Sequence, residues 1–426
     1  MKPHHVVIIG AGPAGLMAAD VLSKHGLTVD IYEAKPSVGR KFLMAGKGGL
    51  NITHSEPMAD FIARYDKPDW LKPMLDQFNA KNIMTWMESL SVASFIGTSG
   101  RVFPTEMKAA PLLRRWLSML KGRGVRVHCN HYWQGFTDEG DLRFKTIAGE
   151  KVVKADATIL ALGGGSWSSL GSDGAWVPIL ANKNVGINPL LPSNCGFKTT
   201  WSPYLQEYFG KPMKNIVGWV ENDTGEMDAS SSEAILTTYG IEGGLVYALS
   251  RPLRERVIAH GSATLYLDLL PHVSEDLLAS RLIPSGKRSI NNTWRKAGLD
   301  GVKAALIREI LPKDKWSDAS CVAACVKKYP ITLTGMQPIE EAISTSGGVM
   351  RESVNEHLML HDLPNVFCAG EMLDWDAPTG GYLLTACFAS GRFAANGVLK
   401  QLSSRIKHGM TGEYFSDGNR LNHSAL

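Results

Sequence analysis

The run Val6-Val7-Ile8-Ile9, followed at once by Gly10-Ala11-Gly12-Pro13-Ala14-Gly15, constrains this chain more than any other stretch. Four consecutive β-branched residues suit a strand buried on both faces of a parallel sheet. Glycines at that spacing then give a tight turn at Gly10, bare backbone for a phosphate at Gly12 and close helix-to-strand packing at Gly15. Leu16, Ala18, Ala19 and Leu22 continue as the apolar face of a helix that Gly26 ends, and a second strand is expected over 27–32, with Glu33 at its tip. A carboxylate about 20 residues beyond the turn accepts hydrogen bonds from adenosine ribose hydroxyls and repels a 2′-phosphate. The segment predicts an adenine dinucleotide site. A glycine-rich turn that binds nothing is the alternative, and it leaves the register of strand, turn, helix, strand and acid unexplained.

The next segment separates FAD from NAD. After Glu33 the chain reads Ala34-Lys35-Pro36-Ser37-Val38-Gly39-Arg40-Lys41, then Phe42 to Ala45, then Gly46-Lys47-Gly48-Gly49-Leu50-Asn51. A long glycine-rich loop with cations suits an extended ligand running past the pyrophosphate, since glycines admit a planar ring and cations balance phosphate charge. A solvated basic loop is the alternative. Two later segments repeat the theme of a strand running into glycines: 156–162 into Gly163-Gly164-Gly165, and 365–369 into Gly370-Glu371. Neither is a second dinucleotide fingerprint, because Ser168 stands where the last glycine is needed. No separate NAD(P)H domain is expected, so NADH or NADPH would dock transiently or the substrate itself would reduce the flavin. The last segment leads into a helix expected over 384–402. Thr379 or Gly380-Gly381 starts it, with first-turn amides whose positive partial charge favours an anionic reduced flavin.

Composition removes several other classes. With 426 residues, 44% hydrophobic and 20% charged, the chain is globular and holds two or three cores. Lysine plus arginine exceed the acids by 45 − 41 = 4, too little for a nucleic-acid-binding stripe. Six scattered cysteines form no CxxC pair or zinc spacing, so no metal is expected and the thiols read as reduced, in a cytoplasmic protein. The basic start and apolar 6–22 imitate a secretory leader, but Gly10, Gly12, Pro13, Gly15 and Asp20 interrupt it. No other apolar run approaches the ~18 residues of a membrane span.

Gly10-x-Gly12-x-x-Gly15, the loop from Gly39-Arg40-Lys41 to Asn51, Gly100-Arg101-Val102-Phe103-Pro104, Gly163-Gly164 and the segment from Gly370-Glu371 to Tyr382 together resemble a bacterial flavoprotein family. It is known as the NAD(P)/FAD-dependent oxidoreductases of the aminoacetone-oxidase type, and it includes a flavoprotein of bile-acid-inducible operons. The resemblance implies an α/β fold: a Rossmann-like FAD-binding domain, discontinuous in sequence, with a β-barrel-like insert carrying a small helical subdomain. The expected division is 1–190 and 339–402 for the FAD domain, 191–338 for the insert and 403–426 for a polar tail. It also implies roles. Glu33 meets the ribose; Gly12 to Ala14 and Arg40 the pyrophosphate; Lys41, Lys47, Gly48 and Asn51 the flavin. Trp133 stands where backbone meets adenine, with a bulk unusual there. Gly370, Glu371 and Asp374 fall in the ribityl and phosphate region, and Gly380, Gly381 and Tyr382 at the ring. Gly49-Leu50 replaces the Arg-Cys of many relatives, and Leu383 an asparagine, so the substrate side differs.

The leading functional expectation is hydride transfer between flavin N5 and a small organic substrate at the junction of FAD domain and insert, with a reductase of an activated C=C bond placed ahead of a peroxide-forming amine oxidase. Lys47, Arg101, His54 and Tyr382 are candidates for the proton donor or acceptor, with a structural or cofactor-binding role placed ahead of a catalytic one for each. An RNA-modifying flavoprotein is suggested by Arg281, Lys287, Arg288, Arg295 and Lys296 near Trp294, although such a run is usually a solvated face. A third reading is a non-catalytic redox sensor using Cys321 and Cys325, which are poorly placed for a disulfide in an intact helix and are expected to be buried packing.

Overall fold

The computed structural model describes residues 3–221, 225, 227–284 and 289–413. The chain forms two compact units, Met1–Leu190 with Ser346–Leu426, and Leu191–Thr345.

The first unit is built on a five-stranded parallel sheet ordered Val366–Cys368, Ala157–Leu160, His5–Ile9, Thr28–Tyr32, Arg126–His128. Its central strand is fully buried over Val6–Ile8, as a strand covered on both faces requires. The glycine turn that follows is fixed by contact. Gly10 has φ +103°, and a Cβ there would lie 2.2 Å from the carbonyl oxygen of Ala161; one on Gly15 would lie 2.0 Å from the oxygen of Gly10. The helix Pro13–Leu22 therefore seats directly on the sheet. The long helix Tyr382–Glu413 crosses it with backbone nearly touching, a Cβ on Gly391 falling 2.2 Å from the oxygen of Ala14. That helix runs past the expected 402 to Glu413, so the part of the supposed tail over 403–413 is helical. The stretch 34–51 is likewise not all loop: Arg40–Ala45 is a helix, entered through Gly39 in the left-handed conformation.

Two small antiparallel sheets complete this unit: Tyr132–Phe136, Leu142–Thr146 and Gly149–Val153, and Thr53–His54, Arg101–Pro104 and Ser94–Ile96. Among the helices over it, Trp86, Trp116 and Phe388 pack edge to face at 4.7–5.9 Å, and the Trp86 indole donates to the buried Asp20 carboxylate at 3.0 Å.

The second unit is a seven-stranded antiparallel sheet whose end strands, Tyr329–Leu333 and Gly335–Met336, are consecutive in the chain, so the sheet curls back on itself. The chain returns to the first unit at Ser346, later than the expected 339, because Asn194 Nδ2 holds Ser344 Oγ at 2.6 Å within the second. The basic stretch forms three helices, Glu275–Leu282, Ile290–Lys296 and Gly301–Ile310. Trp294 is 1% exposed with the Arg308 guanidinium 4.8 Å from its ring centre, so it is a core residue and offers no face to a base; Lys287 and Arg288 lie outside the described residues. Cys321 and Cys325 are half-buried free thiols, and Cys325 packs against the core of this unit.

One charge cluster anchors the sheet edge. Asp30, 3% exposed, accepts from His5 at 2.7 Å, His128 at 2.9 Å and bidentately from Arg126 at 2.7 and 2.6 Å. Burial pushes its carboxyl up, but these bonds outweigh burial and hold it below the ordinary range. A lowered carboxyl stabilises the fold above the unfolded pKa of about 3.9 and loses that contribution as pH falls through the folded value. Asp30→Asn is expected to cost on the order of 2 kcal/mol at pH 7, with the difference from the parent shrinking below about pH 4 in urea melts.

Candidate functional site

At the C-terminal ends of the parallel strands lies an open cleft, where ligands of open α/β sheets are bound. Each wall comes from a strand-to-turn junction: the 9–14 turn, the tip of Thr28–Tyr32, the start of Arg40–Ala45, the glycines after Ala157–Leu160, and Ala369-Gly370-Glu371.

The three fingerprint glycines divide by cause. Gly10 and Gly15 are demanded by protein atoms, as above. Gly12 is not: a Cβ there meets nothing within 4 Å, and the residue opens onto the cleft at the N-terminus of the helix Pro13–Leu22. Its bareness serves a ligand, and the first-turn amides beside it favour an anion. Glu33 stands opposite. The Ala11 amide donates to its Oε2 and the Lys35 amide to its Oε1, both at 2.9 Å, which leaves one lone-pair direction on each oxygen for hydroxyl donors. Burial pushes this carboxyl up despite those amides.

The cations split in the same way. Lys41 is spent within the protein, donating to Glu371 Oε2 and to Ser166 Oγ, each at 2.7 Å. Arg40 has a buried Nε with no partner. Ser172 Oγ and the Trp133 indole nitrogen, on other cleft-lining residues, are also buried without partners. Cys387 lines the cleft too, and burial pushes its thiol far up, leaving it protonated and unsuited as a nucleophile.

Gly10, Gly12, Pro13, Ala14, Glu33, Ala34, Arg40, Lys41, Trp133, Gly163, Gly370 and Glu371 are brought together around this cleft. Ala11, Gly15 and Lys35 support it from behind, through the Glu33 bonds and the helix packing. Gly164 accepts from the Gly174 amide at 3.1 Å and is not on the wall. Asp374 is also elsewhere, its buried carboxylate accepting from Lys67 and, at 2.6 Å, from Asn188.

The residues expected around the flavin ring lie along a second line outside the cleft wall. Gly46 is pressed on Ala109, Lys47 and Gly48 are exposed, and Asn51 has a buried Oδ1 without a partner. Thr379, Gly380 and Gly381 precede the long helix, and a Cβ on Gly381 would lie 2.5 Å from Thr53 Cα. Leu383 follows within its first turn. Tyr382 is buried, and its hydroxyl donates to Glu56, which Arg64 grips with Nε at 3.3 Å and a terminal nitrogen at 2.9 Å. Burial and the Glu56 charge push the phenol far up. His54 has both ring nitrogens engaged, Nε2 with the Ser99 carbonyl at 2.9 Å and Nδ1 with the Glu56 amide at 3.2 Å, which fits a neutral loop cap. Sequence reasoning missed His131, Tyr132 and the 170–176 segment of the cleft, where the Tyr132 hydroxyl donates to Asp173 at 3.1 Å and the Trp176 indole to Gly163 at 2.9 Å. The only signal for that segment was its place just after the second glycine cluster.

FAD fits these residues. An open space at Gly12, a helix N-terminus, a half-satisfied carboxylate and partnerless polar atoms on the cleft-lining residues Arg40 and Ser172 are what its adenosine and pyrophosphate require. Residues 4–397 match the family described as HI0933-like protein Rossmann domain. The chain belongs to that family. This HI0933-like protein is an FAD-dependent oxidoreductase. It is 23% identical over 421 residues to a 3-dehydro-bile acid delta(4,6)-reductase of Clostridium scindens, covering 93% of this chain and 100% of that one. It is 22% identical over 422 residues to a ribosomal RNA dihydrouridine synthase of Haemophilus influenzae, covering 93% and 98%. Among solved structures, a 3-ketosteroid delta1-dehydrogenase from Sterolibacterium denitrificans aligns at TM-score 0.49 and 12% identity, covering 95% of this chain and 100% of that one. Among the described residues no helix is long and apolar enough to cross a membrane, and no cluster suits a metal ion.

The division among the glycines gives a direct test. Gly10→Ala is expected to lower the melting temperature by roughly 10 °C or abolish soluble expression. Gly12→Ala should melt within about 2 °C of the parent as apoprotein, yet bind FAD at least about tenfold more weakly by fluorescence titration.

Proposed function

We propose that this protein reduces an activated C=C bond in a small organic substrate, with NADH or NADPH docking transiently as the electron source. The reading rests chiefly on the full-length similarity to the 3-dehydro-bile acid delta(4,6)-reductase of C. scindens. The presence of one dinucleotide fingerprint, at Gly10 to Gly15, agrees with a nicotinamide that visits without a domain of its own. The overall change adds a hydride and a proton across the double bond and converts NAD(P)H to NAD(P)⁺. FAD, when bound, supplies the hydride transfer. The chain's own residues bind the cofactor, orient the substrate and exclude water.

Tyr382 is a positioning residue in this reading, since its hydroxyl is committed to Glu56. Burial raises the Glu56 carboxyl, but the Arg64 and Tyr382 hydrogen bonds outweigh it and keep it below the ordinary carboxylate range, so it is an anion that holds the phenol in place. Lys47 and Arg101 are exposed, and no ion pair or hydrogen bond of either side chain occurs among the described residues. Of the four proton-transfer candidates, these two cations are the ones free to meet a substrate. A second reading, RNA modification, is favoured by the name of the H. influenzae relative; the burial of Trp294 removes the aromatic that supported it in sequence.

Anaerobic addition of NADH, then NADPH, to the FAD-loaded protein should bleach the yellow flavin band with one of them, and a conjugated enone should restore it. A band that resists both nicotinamides but bleaches with an amine would replace the reductase with an oxidase. Tyr382→Phe is expected to lower kcat by less than about tenfold, against the 10²–10⁴-fold loss of a group that donates the proton itself.

A further inference from the structure

The small sheet of Thr53–His54, Arg101–Pro104 and Ser94–Ile96 has a reversed exterior. Thr53 pairs with Val102, and both are fully buried, so this face turns inward at those two strands, while Ile96 on the same face of the edge strand is 51% exposed. The other face carries His54 opposite Arg101 and Phe95 opposite Phe103. An antiparallel sheet with one face on the core normally turns polar residues outward. Here Phe95 is 43% exposed and stacks on the half-buried Phe103 with ring centres 5.7 Å apart. Met107 extends the apolar surface: it is 37% exposed and held at φ +59°, a left-handed conformation that non-glycine residues rarely adopt.

Two segments expected at the flavin ring border this shelf. A Cβ on Gly49 would lie 2.8 Å from Met107 Cε and 3.9 Å from Phe103 Cε1, so the 46–51 loop runs against it. At the other end the His54 ring stacks on Tyr382 at 5.6 Å, so the start of the long helix meets it too. The charge on the outward face itself is of one sign. Arg101 shares the face with Phe103, is exposed and has no partner among the described residues, and Gly97, whose amide donates to the Arg101 carbonyl at 2.8 Å, adds no side chain of its own there.

We propose that this shelf seats the substrate, and that the substrate is an apolar molecule carrying a carboxylate or similar anion, with its body on Phe95, Phe103 and Met107 and its charge on Arg101. The assignment rests on the flavin-reductase reading for the word substrate, while the binding itself does not depend on turnover. Exposed phenylalanines beside an unpaired arginine match an amphipathic anion: apolar area drives association, and the guanidinium selects the charged end.

The probe is deoxycholate below its micellar concentration, a rigid apolar body with one carboxylate, compared with its uncharged methyl ester by calorimetry on the FAD-loaded protein. The acid should bind saturably and at least tenfold more tightly than the ester. Arg101→Gln should remove that preference and leave the ester's affinity unchanged. Phe95→Ser should weaken both ligands at least fivefold, and each variant should keep its FAD content and melting temperature, which shows that the exposed positions were altered without loss of fold. Equal affinity for acid and ester, or parent-like binding by both variants, overturns the proposal. So does binding to phosphatidylcholine–phosphatidylglycerol vesicles that depends on Phe95 with no saturable deoxycholate site, which would make the shelf a lipid contact. Saturable, Arg101-dependent binding together with a flavin that no nicotinamide reduces leaves the shelf standing and removes the reductase.

Discussion

Three separated parts of the chain meet at Ala14, and the nucleotide turn depends on that meeting. Gly10 and Gly15 set the turn against the sheet; a Cβ on Gly370 would lie 2.8 Å from Ala14 Cβ, and one on Gly391 2.2 Å from its carbonyl oxygen. Backbone-to-backbone packing of this closeness tolerates no side chain, so the first residues of the chain and its last long helix are locked as one layer. The unit is assembled from both ends of the sequence for that reason. The intervening 191–345 can then form its own core without disturbing the turn.

Charge in the cleft follows from the same layer. Gly370 hands the chain to Glu371, which takes up Lys41, and the pair is internally neutral. Of the two adjacent cations, only Arg40 keeps a buried nitrogen with no protein partner, so a negative ligand meets one unspent guanidinium together with the helix terminus. Glu33 is oriented by two amides, which together with the Lys35 and Arg40 charges pull its carboxyl down, while burial outweighs them and raises it. The cleft wall thus offers a hydroxyl acceptor at Glu33 and phosphate donors at Arg40 and the helix terminus.

Much of this was legible because it rests on local rules. A β-branched run, glycines at fixed offsets and an acid at the strand tip are demands that act within about 30 residues, and His5–Ile9, Pro13–Leu22, Thr28–Tyr32 and Glu33 appear within a few residues of where the sequence puts them. The misses come from tertiary contact. Nothing in the composition of 34–51 announces the helix Arg40–Ala45, which forms where Leu113 lies 2.9 Å from the Cβ position of Gly39. Asp374 looked like a ligand contact because it follows Gly370-Glu371, but Lys67, more than 300 positions earlier, claims its carboxylate. Trp294 looked exposed beside basic residues, and the packing of Trp316 and Arg308 buries it. Lys67 and Leu113 lie far away in sequence, and for Trp294 nothing in the nearby stretch fixes how Arg308 and Trp316 pack on it.

The polar candidates near the expected ring were indistinguishable in sequence, and the structure separates them by what each already holds. His54 has spent both nitrogens on the loop at 99–100 and on Glu56; Tyr382 has spent its hydroxyl on Glu56; Glu56 in turn is gripped by Arg64. A closed set of this kind gains its strength from mutual satisfaction, so drawing a proton from it means breaking several charge-assisted bonds at once. It is suited to fixing the backbone at the helix start. Arg101 and Lys47 stand outside the set, exposed and without a partner among the described residues, and desolvating such a cation is favourable only when an anion replaces the lost water. The difference between committed and uncommitted groups, more than their residue types, is what separates the candidates on these geometric grounds.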